Sequence, residues 1–235
     1  MNRTDLRDRC SRLSTPLICD ACLRLGVRYE IPGPGIRSLR AGGRVAGRVA
    51  VARHHGSVDV FLEAIETAED GDVLVIDNGG RLDEGCVGDL TVLEAQGSGL
   101  GGIVVWGAHR DSAELAEIDL PVFSYGSCPS GPRRLDPRPH DALGSASFGG
   151  FRVDATHFVV GDDDGVAFVP LERGDEVLAA AESLRTRERR QAEAIRSGTS
   201  LRSQLAFADY LAERNRDPSY TLRAHLKRVG GAIEE

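Results

Sequence analysis

Apolar and polar positions along this chain change rhythm several times, and each change marks an element. Residues 44–53, RVAGRVAVAR, alternate or run apolar and predict a strand. Residues 57–69, SVDVFLEAIETAE, carry helical spacing, with Ser57 placed to cap. A β-α-β pattern follows. VLVID (73–77) is a short buried strand, with a loop after it. Residues 89–97 form a helix that stops at Gly97. GIVVWG (102–107) is a second buried strand, SAELAEI (112–118) a helix, and PVFSYG (121–126) another strand. Strands alternating with short helices imply parallel pairing and a layered α/β core.

The flanks read as follows. LSTPLICDACLRLG (13–26) is a helix with Ser14 or Thr15 as cap, Pro16 in the first turn and Gly26 as stop. IPGPGIRSL is a loop, and so is the Pro- and Arg-rich stretch 127–139. Residues 145–170 are short strands broken by the turn 161–165, GDDDG, and 174–196 is a long charged helix. Two further helices fall at LRSQLAFADYLAER and SYTLRAHLKRV, separated by Asp217-Pro218. Their amphipathic pattern suits packing on the body or on a neighbouring subunit. The organisation is an α/β domain over 1–198 and a C-terminal helical extension over 199–235, with no internal repeat.

Composition narrows the function classes. A chain of 235 residues suits one well-cored domain or one with an appendage. Its net charge of -7 opposes nucleic acid and anionic membranes. No apolar run approaches the ~20 residues that cross a bilayer, and residues 1–12 lack a signal-peptide core. Five cysteines without regular spacing argue against a disulfide framework and for a reducing cytoplasm.

Candidate chemistry concentrates in two acidic turns, Gly88-Asp89-Leu90 and His109-Arg110-Asp111. Twenty residues separate Asp89 from Arg110-Asp111. In open α/β sheets ligands gather at the carboxyl ends of the strands, so all three side chains could share one crevice. Asp111-x-x-Glu114 also reads as a capping box, and Asp89 could cap the helix it opens. The two roles are compatible. Arg110 follows a buried strand and needs a carboxylate or water; its fork pairs bidentately with a carboxylate. Free N–H groups of residues 88–91 would form a second anion site at a helix N-terminus. Asp111 could hold a hard cation, most simply magnesium or manganese. Such a site suits a 2-oxo acid, whose carbon–carbon cleavage leaves an enolate that metal and Arg110 would stabilise.

Other motifs are weaker. Cys19-x-x-Cys22 lies inside a helix without a second pair, which favours buried structural thiols. His54-His55 could bind metal or belong to loop or core. Asp162-Asp163-Asp164 reads as a polar turn, and the arginines at 185, 187, 189 and 190 as a solvated helix face. Neither a Ser-His-Asp order, a G-x-S-x-G, a P-loop nor a Rossmann fingerprint is present.

At GDVLVIDNGG (71–80), GDL (88–90), GLGGIVVWGAHRD (99–111), AEL (113–115), PVFSYG (121–126) and GDDDGVAFVP (161–170) the chain resembles the RraA-like proteins. These include 4-hydroxy-4-methyl-2-oxoglutarate / 4-carboxy-4-hydroxy-2-oxoadipate aldolases and regulators of ribonuclease E. The resemblance spans about 13–198, and Asp-x20-Arg-Asp is its aldolase motif. It implies a swivelling-type β/β/α fold assembled as a homotrimer or hexamer, with the site at a subunit interface. It also implies a metal on Asp111, substrate and enolate contact by Arg110, and water organised by Asp89. Main-chain N–H groups of Gly88, Asp89, Leu90 and Thr91 would hold a pyruvate carboxylate. Oxaloacetate decarboxylation is the side activity such a site implies. Trp106 and His109 depart from the pattern, and CPSGPRRLDPRPH (128–140) suggests a more anionic substrate. His225 is a candidate for the histidine a neighbour's C-terminus supplies in this family.

Three readings follow: a divalent-metal-dependent lyase acting on a small 2-oxo acid, a non-catalytic regulator binding a ribonuclease or another partner, and an enzyme whose chemistry has moved to tautomerisation or hydration.

Overall fold

In chain order the strands are β1 (Arg37–Ser38), β2 (Val45–Arg53), β3 (Val73–Val87), β4 (Gly102–His109), β5 (Val122–Ser124), β6 (Ala146–Phe148), β7 (Phe151–Val153), β8 (His157–Asp162) and β9 (Gly165–Pro170). The helices are α1 (Arg3–Cys10), α2 (Thr15–Leu25), α3 (Asp59–Thr67), α4 (Asp89–Gly97), α5 (Ser112–Glu117), α6 (Gly174–Arg196), α7 (Leu201–Gln204), α8 (Phe207–Arg216) and α9 (Leu222–Val229). This computed structural model describes residues 1–230; the last five positions of the predicted extension lie outside the described residues.

The apolar runs of β2 to β5 pair in parallel. Val49 faces Val73, Leu74 faces Ile103, and Ile103 faces Val122. Side chains alternate across a strand, so Val73 and Val75 point to one face while Leu74 and Ile76 point to the other. Both faces are covered, which is why the run reads as continuously apolar. β8 and β9 continue the sheet antiparallel from β2, giving seven strands in the order β1-β5-β4-β3-β2-β8-β9. The Glu30 backbone exchanges both hydrogen bonds with Phe168 on the β9 edge, at 3.0 and 2.9 Å, and the chain then runs to β1 on the opposite edge. The sheet therefore curls into a half-barrel around Val49, Val75, Val104, Phe123, Val159 and Phe168.

Helices cover the outside. Phe61 of α3, Val92 of α4 and Leu115 of α5 pack on Leu74, Ile76 and Ile103. Leu6, Ile18 and Leu178 of α1, α2 and α6 pack on Phe158 and Val169. Truncating a fully buried ring such as Phe61 to alanine would cost about 3–5 kcal/mol. The mixed α/β class read from the sequence is the class observed. Among the described residues no helix is long and apolar enough to cross a membrane.

Five local expectations change. Within IPGPGIRSL, expected as loop, Arg37 and Ser38 form β1 and pair with β5. The segment after residue 77 is strand, not loop: β3 continues to Val87 with register shifts against β4. β4 runs two residues further than expected, because Gly85 and Val87 of that continuation pair with Ala108 and His109. Ser57 does not cap α3; Val58 occupies that position. The helix expected over 201–214 divides into α7 and α8 at Ala206, whose φ of 47° is left-handed.

Candidate active site

The continuation of β3 builds the site. Gly79 and Gly80 have φ of 65° and 69°, and a Cβ at Gly80 would lie 2.8 Å from Trp106 Nε1. Two left-handed glycines make a bulge that no other residue pair would adopt cheaply. The strand bulges from β4 there, pairs again at Arg81 with Gly107, bulges a second time and returns at Gly85, bringing Glu84 through Gly88 to the carboxyl end of β4. α4 then begins at Asp89 with Gly88 at its N-cap. Arg110 and Asp111 follow β4 directly, so the strand ends Val87 and His109, 22 residues apart in sequence, meet at one helix N-terminus.

Asp111 sits at the N-cap position of α5 but makes no side-chain cap there. Its φ of 59° is left-handed, a conformation costing a non-glycine residue about 1–2 kcal/mol. That turn aims the carboxylate at α4 instead: Asp111 Oδ2 accepts the Asp89 N–H at 3.3 Å and lies 3.4 Å from Arg110 Nε. A Cβ on residue 88 would overlap Asp111 Oδ2, so only glycine permits the approach. The positive end of the α4 dipole favours the anion. Asp89 Oδ1 accepts the Leu90 N–H at 2.8 Å. Two of the four N–H groups over 88–91 are thus already engaged by carboxylates.

A cavity of about 180 Å³ opens beside these groups, lined by Gly88, Asp89, Leu90, Thr91 and Arg110 and, opposite them, by His54, Gly56, Val58, Gly85, Cys86 and Pro132. Asp111 borders it through Gly88 and Arg110. A larger cavity, about 310 Å³, lies between β2 and α3. Its Arg3 and Asp72 pair through two hydrogen bonds of 2.6 and 3.2 Å and its Arg48 donates to Met1 O at 2.6 Å; none of Asp89, Arg110 and Asp111 lines it.

Sequence reasoning missed a buried polar cluster behind the cavity wall. Arg134 donates to Glu84 Oε1 at 3.0 and 3.1 Å and to Asn78 Oδ1 at 2.9 Å. His54 Nδ1 is 2.7 Å from the same Asn78 oxygen, and its ring stacks on Phe61 at 5.0 Å. His54, Asn78 and Glu84 are 6%, 1% and 3% exposed. Burial lowers the His54 pKa, against the opposing pull of Asn78. The one available signal was the Asn78…Glu84 pair of polar residues flanking a glycine-rich stretch.

The remaining candidates are placed elsewhere. His109 Nδ1 and Nε2 lie 2.7 and 2.9 Å from the hydroxyls of Ser124 and Ser112, so the ring ties β4 to β5 and to the start of α5. His225 is fully buried among the C-terminal helices, where Nε2 donates to Leu205 O at 2.8 Å; it does not reach this chain's cavity. The arginine-rich loop is largely self-neutralised: Arg134 pairs with Glu84 and Asp136, and Arg138 with Glu63. His55 approaches Asp59 at 3.2 Å. Burial pushes the Cys19 and Cys22 thiols up to about 12 and 11, as befits structural residues on α2. Asp162 accepts the Thr15 N–H and Asp163 the Gly42 N–H, so the acidic turn clasps two distant segments.

Among the described residues no three His, Cys, Asp or Glu side chains gather as a ready-made metal cage. Asp111 is one-third exposed, and its contacts with the Asp89 N–H and Arg110 both run through Oδ2. Magnesium keeps several waters and often binds through one or two carboxylates, so this donor set fits such an ion.

Known proteins share this architecture. A protein of Aromatoleum aromaticum, provisionally named a 4-hydroxy-4-methyl-2-oxoglutarate aldolase, is 31% identical over 147 residues, covering 63% of this chain and 91% of that protein. A crystal structure of an uncharacterized Pseudomonas syringae protein superposes with a TM-score of 0.72 at 27% identity, over 84% of this chain and 95% of that one. The structure of Streptomyces coelicolor RraAS2, described as an unusual member of the RNase ES inhibitor RraA protein family, gives 0.69 at 28% identity, over 80% and 97%. The family described as RraA-like, Aldolase/RraA, matches residues 15–168. With the match spanning most of the curled sheet and both acidic turns, this chain belongs to the RraA-like family.

Proposed function

We propose that the chain is a lyase that cleaves a carbon–carbon bond of a small 2-oxo acid through a pyruvate enolate, by retro-aldol cleavage or by decarboxylation of oxaloacetate. The observation that carries this reading is the meeting of Asp89, Arg110 and Asp111 around the N-terminus of α4, beside one cavity. The names of the aldolase relatives support it.

In this mechanism the Gly88 and Thr91 N–H groups, with the α4 dipole, hold the substrate carboxylate. Arg110 is half exposed and held only loosely by Asp111, so its fork is available to the oxygen on which negative charge develops. Preorganised donors of this kind contribute roughly 3–4 kcal/mol to the transition state. Asp89 orients water at the cavity mouth. Asp111 would hold magnesium or manganese, which supplies Lewis-acid polarisation of the 2-oxo group when bound.

The same reading has the chain assembled as a homo-oligomer, a trimer or hexamer, with the cavity at a subunit boundary. In support, Val58, Leu62, Leu90 and Leu93 of α3, α4 and the turn before α3 are all exposed beside the cavity. Light scattering on the purified chain reads the assembly directly.

The test is pyruvate release from oxaloacetate with magnesium or manganese, then with EDTA, after subtracting the metal-only background. Release that EDTA abolishes and Asp111→Ala removes supports the lyase. A folded, metal-supplied protein that releases nothing sinks it and leaves the regulator or the diverged enzyme.

A further inference from the structure

We infer that His54 is a proton-transfer residue of this cavity, its Nε2 taking the proton from the hydroxyl on the carbon that is cleaved. The inference rests on the lyase reading above and names a residue that the Asp89, Arg110 and Asp111 motif does not contain.

Glu84 fixes the Arg134 guanidinium with two contacts to one oxygen. Arg134 has only donors, so the Asn78 atom 2.9 Å from it must be the amide oxygen. That oxygen is also the atom 2.7 Å from His54 Nδ1; Arg134 Nη2 lies 3.4 Å from Nδ1 as well, but its two hydrogens are engaged at shorter range by Asn78 Oδ1 and Glu84 Oε1, so Nδ1 carries the hydrogen. A neutral ring with Nδ1–H presents a bare Nε2. Among the described residues Nε2 has no hydrogen-bond partner, nor is it a sealed, unpartnered polar atom. His54 is among the residues that line the cavity, with Arg110 and Asp89 on its other side. Stacking on Phe61 holds its plane. The charged and titratable groups around the ring are Glu84, Arg134 and His55, with Cys86, Asp89 and Arg110 lining the same cavity. Burial keeps the ring neutral, and therefore able to accept a proton, at neutral pH.

The step balances within the substrate. His54 Nε2 takes the hydroxyl proton, and the oxygen's electrons form the new carbonyl as the carbon–carbon bond breaks. The bond's electron pair becomes the pyruvate enolate, which then takes a proton at carbon to give pyruvate. The enolate carbon takes its proton from water, and His54 returns the hydroxyl proton to water, so the protons balance. Oxaloacetate has no hydroxyl to deprotonate; its cleavage needs the enolate contacts alone.

That difference supplies the experiment. The full-length wild type and His54→Gln are assayed with magnesium on 4-hydroxy-4-methyl-2-oxoglutarate and on oxaloacetate, with thermal unfolding as a check on folding. We expect cleavage of the hydroxy acid to fall by about 100-fold or more and decarboxylation to stay within about threefold. Equal losses on both compounds, or none on the hydroxy acid, overturn the role of His54 and leave the lyase standing. A wild type that decarboxylates oxaloacetate but does not cleave the hydroxy acid does the same. A wild type inactive on both overturns the lyase reading itself.

Two further readouts separate chemistry from structure. Nitrogen NMR of the chain without substrate should show His54 with Nδ1 protonated and Nε2 bare; the opposite tautomer overturns the proposal. Asn78→Asp places a carboxylate against Nδ1, and the acid limb of kcat/KM for hydroxy-acid cleavage should move up by about one pH unit or more. An unmoved limb in a folded, active variant overturns it equally.

Discussion

His54 and His109 are both buried, at 6% and 4% exposure, and burial lowers the pKa of both. Their surroundings differ in one respect. His109 has a serine hydroxyl at each nitrogen and lies inside the sheet. His54 has one nitrogen held by Asn78, the other has no hydrogen-bond partner among the described residues, and the residue lines a cavity. Burial and weakened basicity are therefore not marks of a reactive histidine; a spare nitrogen beside a cavity is. The contrast extends to the regions around them. The cavity wall carries strained or close-packed backbone, at Asp111 and Gly88, whereas the strands beneath it are apolar and paired on both sides.

Substitutions on the cavity side should lose turnover and keep the fold. Arg110→Ala and Asp111→Ala should each lower oxaloacetate decarboxylation by about 100- to 1,000-fold, while urea midpoints stay close to wild type. Global unfolding of Asp111→Ala would instead make that residue a structural one. Gly88→Ala comes next. Its methyl displaces the Asp111 carboxylate, and a misplacement of this size typically costs about 100-fold; unchanged kcat/KM would show that Asp111 need not approach α4.

On the interior side the sign reverses. His109→Leu strips the hydroxyls of Ser124 and Ser112 of a partner, and should cost about 1–3 kcal/mol of stability. The ratio of hydroxy-acid cleavage to oxaloacetate decarboxylation should not change, and a changed ratio would place His109 in the chemistry. The smallest effect is on pH. Above about 6.5 both histidines are neutral in the folded and the unfolded chain, and their contribution is fully present. Below it the unfolded chain takes up protons that the fold refuses, so stability falls with falling pH, by at most about 1.4 kcal/mol per unit for each ring. Chemical denaturation between about pH 7.5 and 5.5 measures this, and His109→Leu should show a shallower slope.

Much of the site's position is legible in the sequence. Asp89, Leu90, Thr91 and Arg110 do line one cavity, because a strand followed by a helix start puts those residues at the sheet's carboxyl end. The direction in which each side chain acts is not legible there. Asp111 looks like a capping box with Glu114, yet its left-handed backbone turns the carboxylate to another helix. His54 looks like half of a casual pair, and its partners Asn78, Glu84 and Arg134 lie far along the chain, Asn78 24 residues and Arg134 80 residues away.

The sequence by itself determined the alternation of strands and helices from residue 44 to 126, the stop at Gly26, the long helix over 174–196 and the turn at 161–165. These follow from apolar period, β-branching and capping, which act over a few neighbouring residues. Only the tertiary structure decided that 78–87 returns as strand, that the sheet curls until Glu30 meets Phe168, and that Asn78 holds one nitrogen of His54. Each of those depends on hydrogen bonds between segments far apart in the chain. No local pattern encodes such a bond, because its partner becomes a neighbour only once the fold has formed.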